Sequence, residues 1–185
     1  MESMIVFTEI LFGQGSDGQE IIPECHRLRK EIFHIEQGIP LETEYDSVEH
    51  LACHFLLRVT EQDPVSGETS VKSVGTIRVT TPDVYPALNR YKLSRMAVDK
   101  AYRKHRFGYL LVAKLHQWVQ ADAKAANRPA EVECHSHVFT TGFYAKLGYT
   151  PEGDQYNEPC GPGGNMILQK MVVRLPLSSK SMNTH

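Results

Sequence analysis

The chain has 185 residues, 41% of them hydrophobic, with 20 Lys and Arg against 22 Asp and Glu for a formal net charge of −2. That length suits one globular domain able to bury roughly 70% of its unfolded surface, and the near-neutral balance excludes wholesale attraction to nucleic acid, so any cationic function must be local. Cys25, Cys53, Cys134 and Cys160 form no C-x-x-C pair, the start MESMIVFTEI lacks a signal peptide's basic and apolar regions, and no apolar run approaches the roughly 20 residues that cross a bilayer, so reduced thiols in a cytosolic or nuclear protein are expected.

Met4 to Phe12 is rich in β-branched and aromatic residues and reads as a first strand, ended by a Gly/Ser/Asp turn from Gly13 to Gly18. Ile21, Ile22, Cys25, Leu28, Ile32 and Phe33 then recur at helical spacing up to Gly38 and Pro40. Residues 36 to 50, EQGIPLETEYDSVEH, are acidic and predict a loop or irregular helix. Its carboxylates are either a solvated face or the lining of an amine-binding mouth. Residues 51–60 and 71–80 flank the turn formers Asp63, Pro64 and Gly67 and predict a hairpin of two central strands.

Leu93 to Val119 changes character twice. Leu93, Met96 and Val98 alternate as in a strand, Arg103 to Arg106 form a basic run, and Leu110, Leu111, Leu115, Trp118 and Val119 keep helical spacing and are expected in the core. A strand feeding a cationic turn and a helix start is where a phosphate-bearing ligand would be held, because the first helical N–H groups lack intrahelical partners and carry the positive end of the helix dipole. Neither G-x-G-x-x-G nor G-x-x-x-x-G-K-[ST] occurs, so no dinucleotide or nucleoside-triphosphate site is indicated. Further strands are expected at Glu131–His137, after Tyr149 and at Met166–Val173, with a short helix from Phe139 to Leu147 closed by Gly148. Asn157 to Asn165, NEPCGPGGN, reads as a loop.

Three blocks carry a family resemblance. LSRMAVDKAYRKHRFGYLL is similar to the acyl-CoA segment of the GNAT superfamily of N-acetyltransferases, in which R/Q-x-x-G-x-G/A opens a helix after a strand. HVFTTGFYAKLGY, residues 137–149, is similar to that superfamily's FYxKLGF segment, and FHIEQGIPLETEYD, residues 33–46, resembles the F-x-x-E-Q-G-V-P stretch of a branch of small bacterial-type members. The resemblance implies one GNAT-like α/β domain over residues 1–175, with residues 176–185 a frayed tail. Its centre would be a mixed, mostly antiparallel sheet of six to seven strands flanked by helices on both faces. It also implies acetyl-CoA as co-substrate. Met96, Ala97 and Val98 would face pantetheine, while Arg103, Lys104, His105, Arg106, Phe107, Gly108 and Tyr109 would take the diphosphate. Arg106 departs from the pattern, standing where its first glycine belongs, so its side chain must turn away or add a charge to the phosphates.

The implied reaction is acetyl transfer to a primary amine by direct attack in a ternary complex. Tyr144 matches the general-acid position and would protonate the departing thiolate. Glu36, Glu44, Glu133 and His135 are the base candidates, since an alkyl ammonium has no lone pair; proton loss through water is the alternative. His135 with His137 and Cys134 could suggest a metal pair, but neighbours on a strand point to opposite faces and chelate poorly. The acceptor expected is a small amine, amino sugar or polyamine, with no nucleic acid or membrane partner and a homodimer allowed. The rival readings are a non-catalytic acyl-CoA-binding or regulatory domain, a protein or peptide amine acetyltransferase, and a basic nucleic-acid module.

Overall fold

Aliphatic and aromatic residues that favour an extended, half-buried backbone make Met4–Gln14 the first strand, β1. It pairs antiparallel with β2 (Cys53–Gln62), β2 with β3 (Thr69–Thr80), and β3 with β4 (Tyr91–Val98). The computed structural model describes residues 3–160 and 164–177; the tail from 178 onward lies outside them. Between β1 and β2 the chain crosses one face of the sheet as α1 (Ile22–Arg29) and continues in wider π-helical turns over Lys30–Glu36. It then takes short 3-10 turns at Leu41–Thr43 and Glu49–Leu51.

From β4 a 3-10 turn at Lys100–Tyr102 leads into α2 (Phe107–Ala125) on the opposite face. β5 (Glu131–His137), α3 (Thr141–Ala145), β6 (Thr150–Pro151), β7 (Tyr156–Pro159) and β8 (Asn165–Arg174) complete the order. The strands run β1-β2-β3-β4-β5-β8-β6, with β7 also on β8, and among the described residues only the β4–β5 pair is parallel. This is the expected mixed, mostly antiparallel sheet with a helix on each face, enlarged to eight strands. The enlargement overturns one expectation, because Asn157 to Pro159 is not loop. It pairs with Met166, Ile167 and Asn165, the hairpin being closed by the Cys160 N–H donating to the Gly164 carbonyl.

The two faces are filled differently. Under α2, Phe55, Leu57, Ile77, Val79, Leu93, Leu111, Leu115, Val119 and Val132 form the main core, and burying each such side chain contributes about 1.5–3 kcal/mol. Trp118 stacks on Phe12 at its margin, 5.9 Å between rings, whereas Leu110, expected in the core, is exposed because it lies one step round the helix from that stripe. Under α1 the apolar cluster shrinks to Ile21, Cys25, Leu28 and Leu56, and charged side chains occupy the remaining space.

Candidate active site

The site is built where β4 and β5 part. They pair only through Tyr91–Val132, Lys92–Glu133 and Leu93–Cys134. Beyond Leu93 a bulge sends β4 away: two steps along β3, Thr76 to Arg78, face three along β4, Ala97 to Ser94. The extra residue is absorbed at Arg95, whose φ of 53° is left-handed. Ala97 and Val98 still pair with Thr76 and Gly75, so this end of β4 is held on one edge and opens on the other toward the gap.

At the end of β4 the chain turns sharply. The Asp99 side chain accepts from Ala101 N at 2.8 Å, and the Asp99 N–H donates to the Val74 carbonyl at 2.8 Å. Lys104 and Arg106 are both left-handed, φ 75° and 61°, and Arg106 is the N-cap of α2. Arginine thus adopts the backbone angle that glycine would take more cheaply. The first intrahelical bond runs from Leu110 N to the Arg106 carbonyl, and no side chain caps the helix. The amides of Phe107, Gly108 and Tyr109 are therefore free to meet an anion. The side chains of Lys104, His105 and Arg106 are exposed around them. Gly108 has a packing reason: a Cβ there would come within 3.3 Å of the Phe143 ring, which also meets Tyr109 edge-on at 4.8 Å.

Arg103 is already engaged. Its guanidinium takes both Glu36 carboxylate oxygens, at 2.6 and 2.7 Å, and its Nε donates to the Val98 carbonyl at 3.1 Å. Glu36 is therefore tied to the turn before α2, its carboxyl held below the usual range by that guanidinium, and does not meet the other acid–base candidates.

Tyr144 lies on the α2 side of the gap, 7% exposed, with Phe143 and Tyr149 edge-on to it at 5.1 and 5.4 Å. Burial, with a smaller contribution from Cys134, pushes its phenol well above the ordinary range. Burial likewise raises the Cys134 thiol to about 12. A thiol and a phenol in this setting both hold their protons. Behind them Tyr149 hydrogen-bonds His116 Nε2 at 2.8 Å, and burial lowers that imidazole to about 4.

On the α1 side, the acidic loop is spent on internal partners. Arg29, fully buried, binds the Glu44 carboxylate and both oxygens of Glu49, at 2.7 and 3.2 Å. Arg78 takes Asp46 through two bonds of 2.9 and 2.7 Å, and also Glu49 and Ser94. Arg95 donates to the Thr43 carbonyl at 2.8 Å and stands 3.4 Å from the Glu44 carboxylate. Despite burial, His26, Arg29 and Arg78 hold Glu49 far below the ordinary carboxylate range. His54, buried beneath this cluster, is pushed down to about 4 by desolvation. Glu44 is thus a buried structural ion, and the expected pull of this loop on a cationic acceptor is cancelled by three arginines.

Glu133 and His135 share the α1-side face of β5, whose ladder to β8 runs without a shift. Glu133 is 1% exposed, while His135 is exposed just past the last β4–β5 pair. Among the described residues no three His, Cys, Asp or Glu side chains converge as metal ligands.

The family model for an acetyltransferase (GNAT) domain matches residues 54–151, which run from the second residue of β2 to the end of β6 and so include the gap, the turn into α2 and Tyr144. The chain belongs to this family. It is an acetyltransferase whose fold serves acyl-CoA-dependent N-acyl transfer. A Bacillus subtilis (strain 168) protein assigned as an acetyltransferase is 29% identical over 131 residues, covering 70% of this chain and 76% of that one. An acyl-CoA N-acyltransferase from Pseudomonas aeruginosa superposes with a TM-score of 0.67 at 16% identity, over 89% of this chain and 98% of its own. Escherichia coli ElaA does so at 0.66 and 20%, over 90% and 99%.

For this GNAT chain, sequence reasoning placed Met96–Val98 and Arg103–Tyr109 at one locus, and the fold brings them together. It missed Arg95, whose only signal is a polar residue breaking the alternation of LSRMAV, and Tyr156, hidden in a segment without periodicity. No described helix is long and apolar enough to cross a membrane.

Proposed function

We propose that this acetyltransferase moves the acetyl group of acetyl-CoA to a small primary amine by direct attack on the thioester in a ternary complex. The turn into α2 carries the reading: a left-handed Arg106 opens a helix whose first three amides have no partner, with the exposed Lys104 and Arg106 beside them and the open edge of β4 just before. That arrangement suits a diphosphate, whose charge the helix dipole and the guanidinium both stabilise. Pantetheine would lie along Met96–Val98, with the thioester in the gap.

The amine nitrogen bonds to the carbonyl carbon, the C–S bond of the resulting tetrahedral oxyanion breaks, the thiolate takes the phenol proton of Tyr144, and the proton shed by the new amide nitrogen restores the phenol. The unpaired edge of β4 supplies N–H groups to the oxyanion. A loop pinned over the sheet by buried ion pairs favours a compact acceptor over an extended peptide.

A thermal-shift titration with acetyl-CoA should raise Tm; no shift at millimolar ligand would sink the cofactor assignment. A thiol-release screen should then find turnover with polyamines, amino sugars or other small amines, and turnover confined to peptides would overturn the acceptor class. Tyr144→Phe should keep the acetyl-CoA shift and lose roughly a hundredfold in kcat.

A further inference from the structure

Resting on the acetyl-transfer reading above, the inference concerns how the acceptor loses its proton. Tyr156 Oη lies 2.6 Å from His135 Nδ1, and His135 Nε2 lies 3.5 Å from Glu133 Oε1. Three residues from β7 and β5 thus form a line leading inward from the exposed surface. Its inner end is unusual. Glu133 Oε1 is buried and has no hydrogen-bond partner, the His135 imidazole being the titratable group that stands nearest. Its other oxygen is 3.7 Å from Arg90, whose own bonds go to Glu131 and Glu152. A buried carboxylate left in this state needs a donor, and a small rotation of His135 provides one.

We propose that Glu133 holds His135 as the Nε2–H tautomer, and that Tyr156 relays the acceptor's proton to the free lone pair on His135 Nδ1. The logic is that of an imidazole oriented by a carboxylate: with Nε2 committed to donating inward, Nδ1 must accept, so the phenol of Tyr156 donates to it. In the step, an N–H bond of the acceptor ammonium breaks and its proton passes to Tyr156 Oη. The phenol's own proton passes to His135 Nδ1. The products are a neutral amine, an intact phenol and an imidazolium paired with the Glu133 carboxylate, so the charge moves inward without being created. His135 lies on the face opposite Tyr144, so base and acid flank the gap from its two sides. Tyr156 is then a catalytic residue and Glu133 a positioning residue.

The charged and titratable groups around His135 are Glu133 and His137 on β5, Lys92 on β4 beside Glu133, Tyr156 and Glu158 on β7, and Lys170 across the β8 ladder. Lys170 is itself paired with Glu152 at 3.2 Å.

The first test needs no turnover. Long-range 15N–1H spectra of the labelled full chain should show His135 as the Nε2–H tautomer, with Glu133→Gln shifting it toward a mixture; an Nδ1–H tautomer in the unaltered protein would overturn the proposal. The second test uses whichever amine the acceptor screen yields. Tyr156→Phe and His135→Gln should each keep the acetyl-CoA thermal shift and lower kcat by roughly a hundredfold. His135→Gln should also abolish the acid limb of kcat at saturating amine. An unchanged limb in that variant, or full activity in Tyr156→Phe, refutes the relay. Loss of the acetyl-CoA shift in the unaltered protein would instead strike the parent reading and leave the tautomer result standing.

Discussion

Under α2 the sheet buries Phe55, Leu57, Ile77, Leu93, Leu111 and Leu115 with Tyr144 and Tyr149 in one continuous apolar cluster; under α1 the comparable space holds Arg29, Arg78, Glu44 and Glu49 beside a small apolar cluster of Ile21, Cys25, Leu28 and Leu56. Apolar packing is non-directional and sums over area, so it gives the α2 side a firm base without fixing any one angle. Buried ion pairs contribute little net stability but punish the loss of either partner, so they fix one arrangement of the loop over the α1 side. One face supplies the stability and the other the geometry.

The largest expected effect breaks the ionic face. Arg29→Met leaves Glu44 and Glu49 one cation short in a buried place and should cost about 3–5 kcal/mol, measured by urea denaturation. A loss under 1 kcal/mol would mean that the cluster is solvated. Next comes acid, which separates the faces because each holds one histidine lowered from 6.5 to about 4, His54 under α1 and His116 under α2. Between those pH values the unfolded chain binds protons that the folded chain refuses, so stability falls as pH drops from 6.5 to 4, by up to about 3 kcal/mol for each group. His54→Gln and His116→Gln should each flatten about half of that slope in chemical denaturation at stepped pH. Asp46 and Glu49, both lowered, stabilise above the ordinary carboxylate range and lose that contribution only below it.

Glu36→Gln tests the link between loop and cradle. It frees Arg103 for the diphosphate and should tighten acetyl-CoA binding roughly fivefold by calorimetry, about 1 kcal/mol, with stability unchanged; weaker binding would mean that Glu36 positions Arg103 instead. The smallest effect is at Arg106. Replacing it with glycine relieves the left-handed angle and should add about 0.5 kcal/mol, a rise in Tm of a few degrees at most. The same variant separates the two reasons for the residue. Undiminished acetyl-CoA affinity would assign Arg106 to the turn alone, and weaker binding would assign its guanidinium to the phosphates.

The apolar face was largely legible from the sequence, because periodicity reports burial: Leu111, Leu115 and Val119 announce a helix stripe, and Phe55, Leu57 and Ile77 announce central strands. The turn into α2 was legible because it is local, a short run of consecutive residues between a strand and a helix. The ionic face was not. Arg29 and Arg78 look like any surface arginines until tertiary structure places them against Glu44 and Asp46, 15 and 32 positions away. Asn157 to Pro159 became a strand for a similar reason, since its partner β8 supplies the pairing that a Pro- and Gly-rich segment does not predict for itself. His135 and Glu133 could be placed on one face from alternation alone, but their third partner, Tyr156, comes from that unforeseen strand.

Arg95 joins the two faces in one residue. Its backbone absorbs the bulge that parts β4 from β5, while its side chain grips the loop at Thr43 and Glu44. Transplanting residues 37–50 from a relative to change acceptor choice would therefore fail as a simple cassette exchange. The donor loop would have to arrive with carboxylates matched to Arg29, Arg78 and Arg95, or the recipient would have to surrender those arginines together, so the loop and β4 can be exchanged only as one piece.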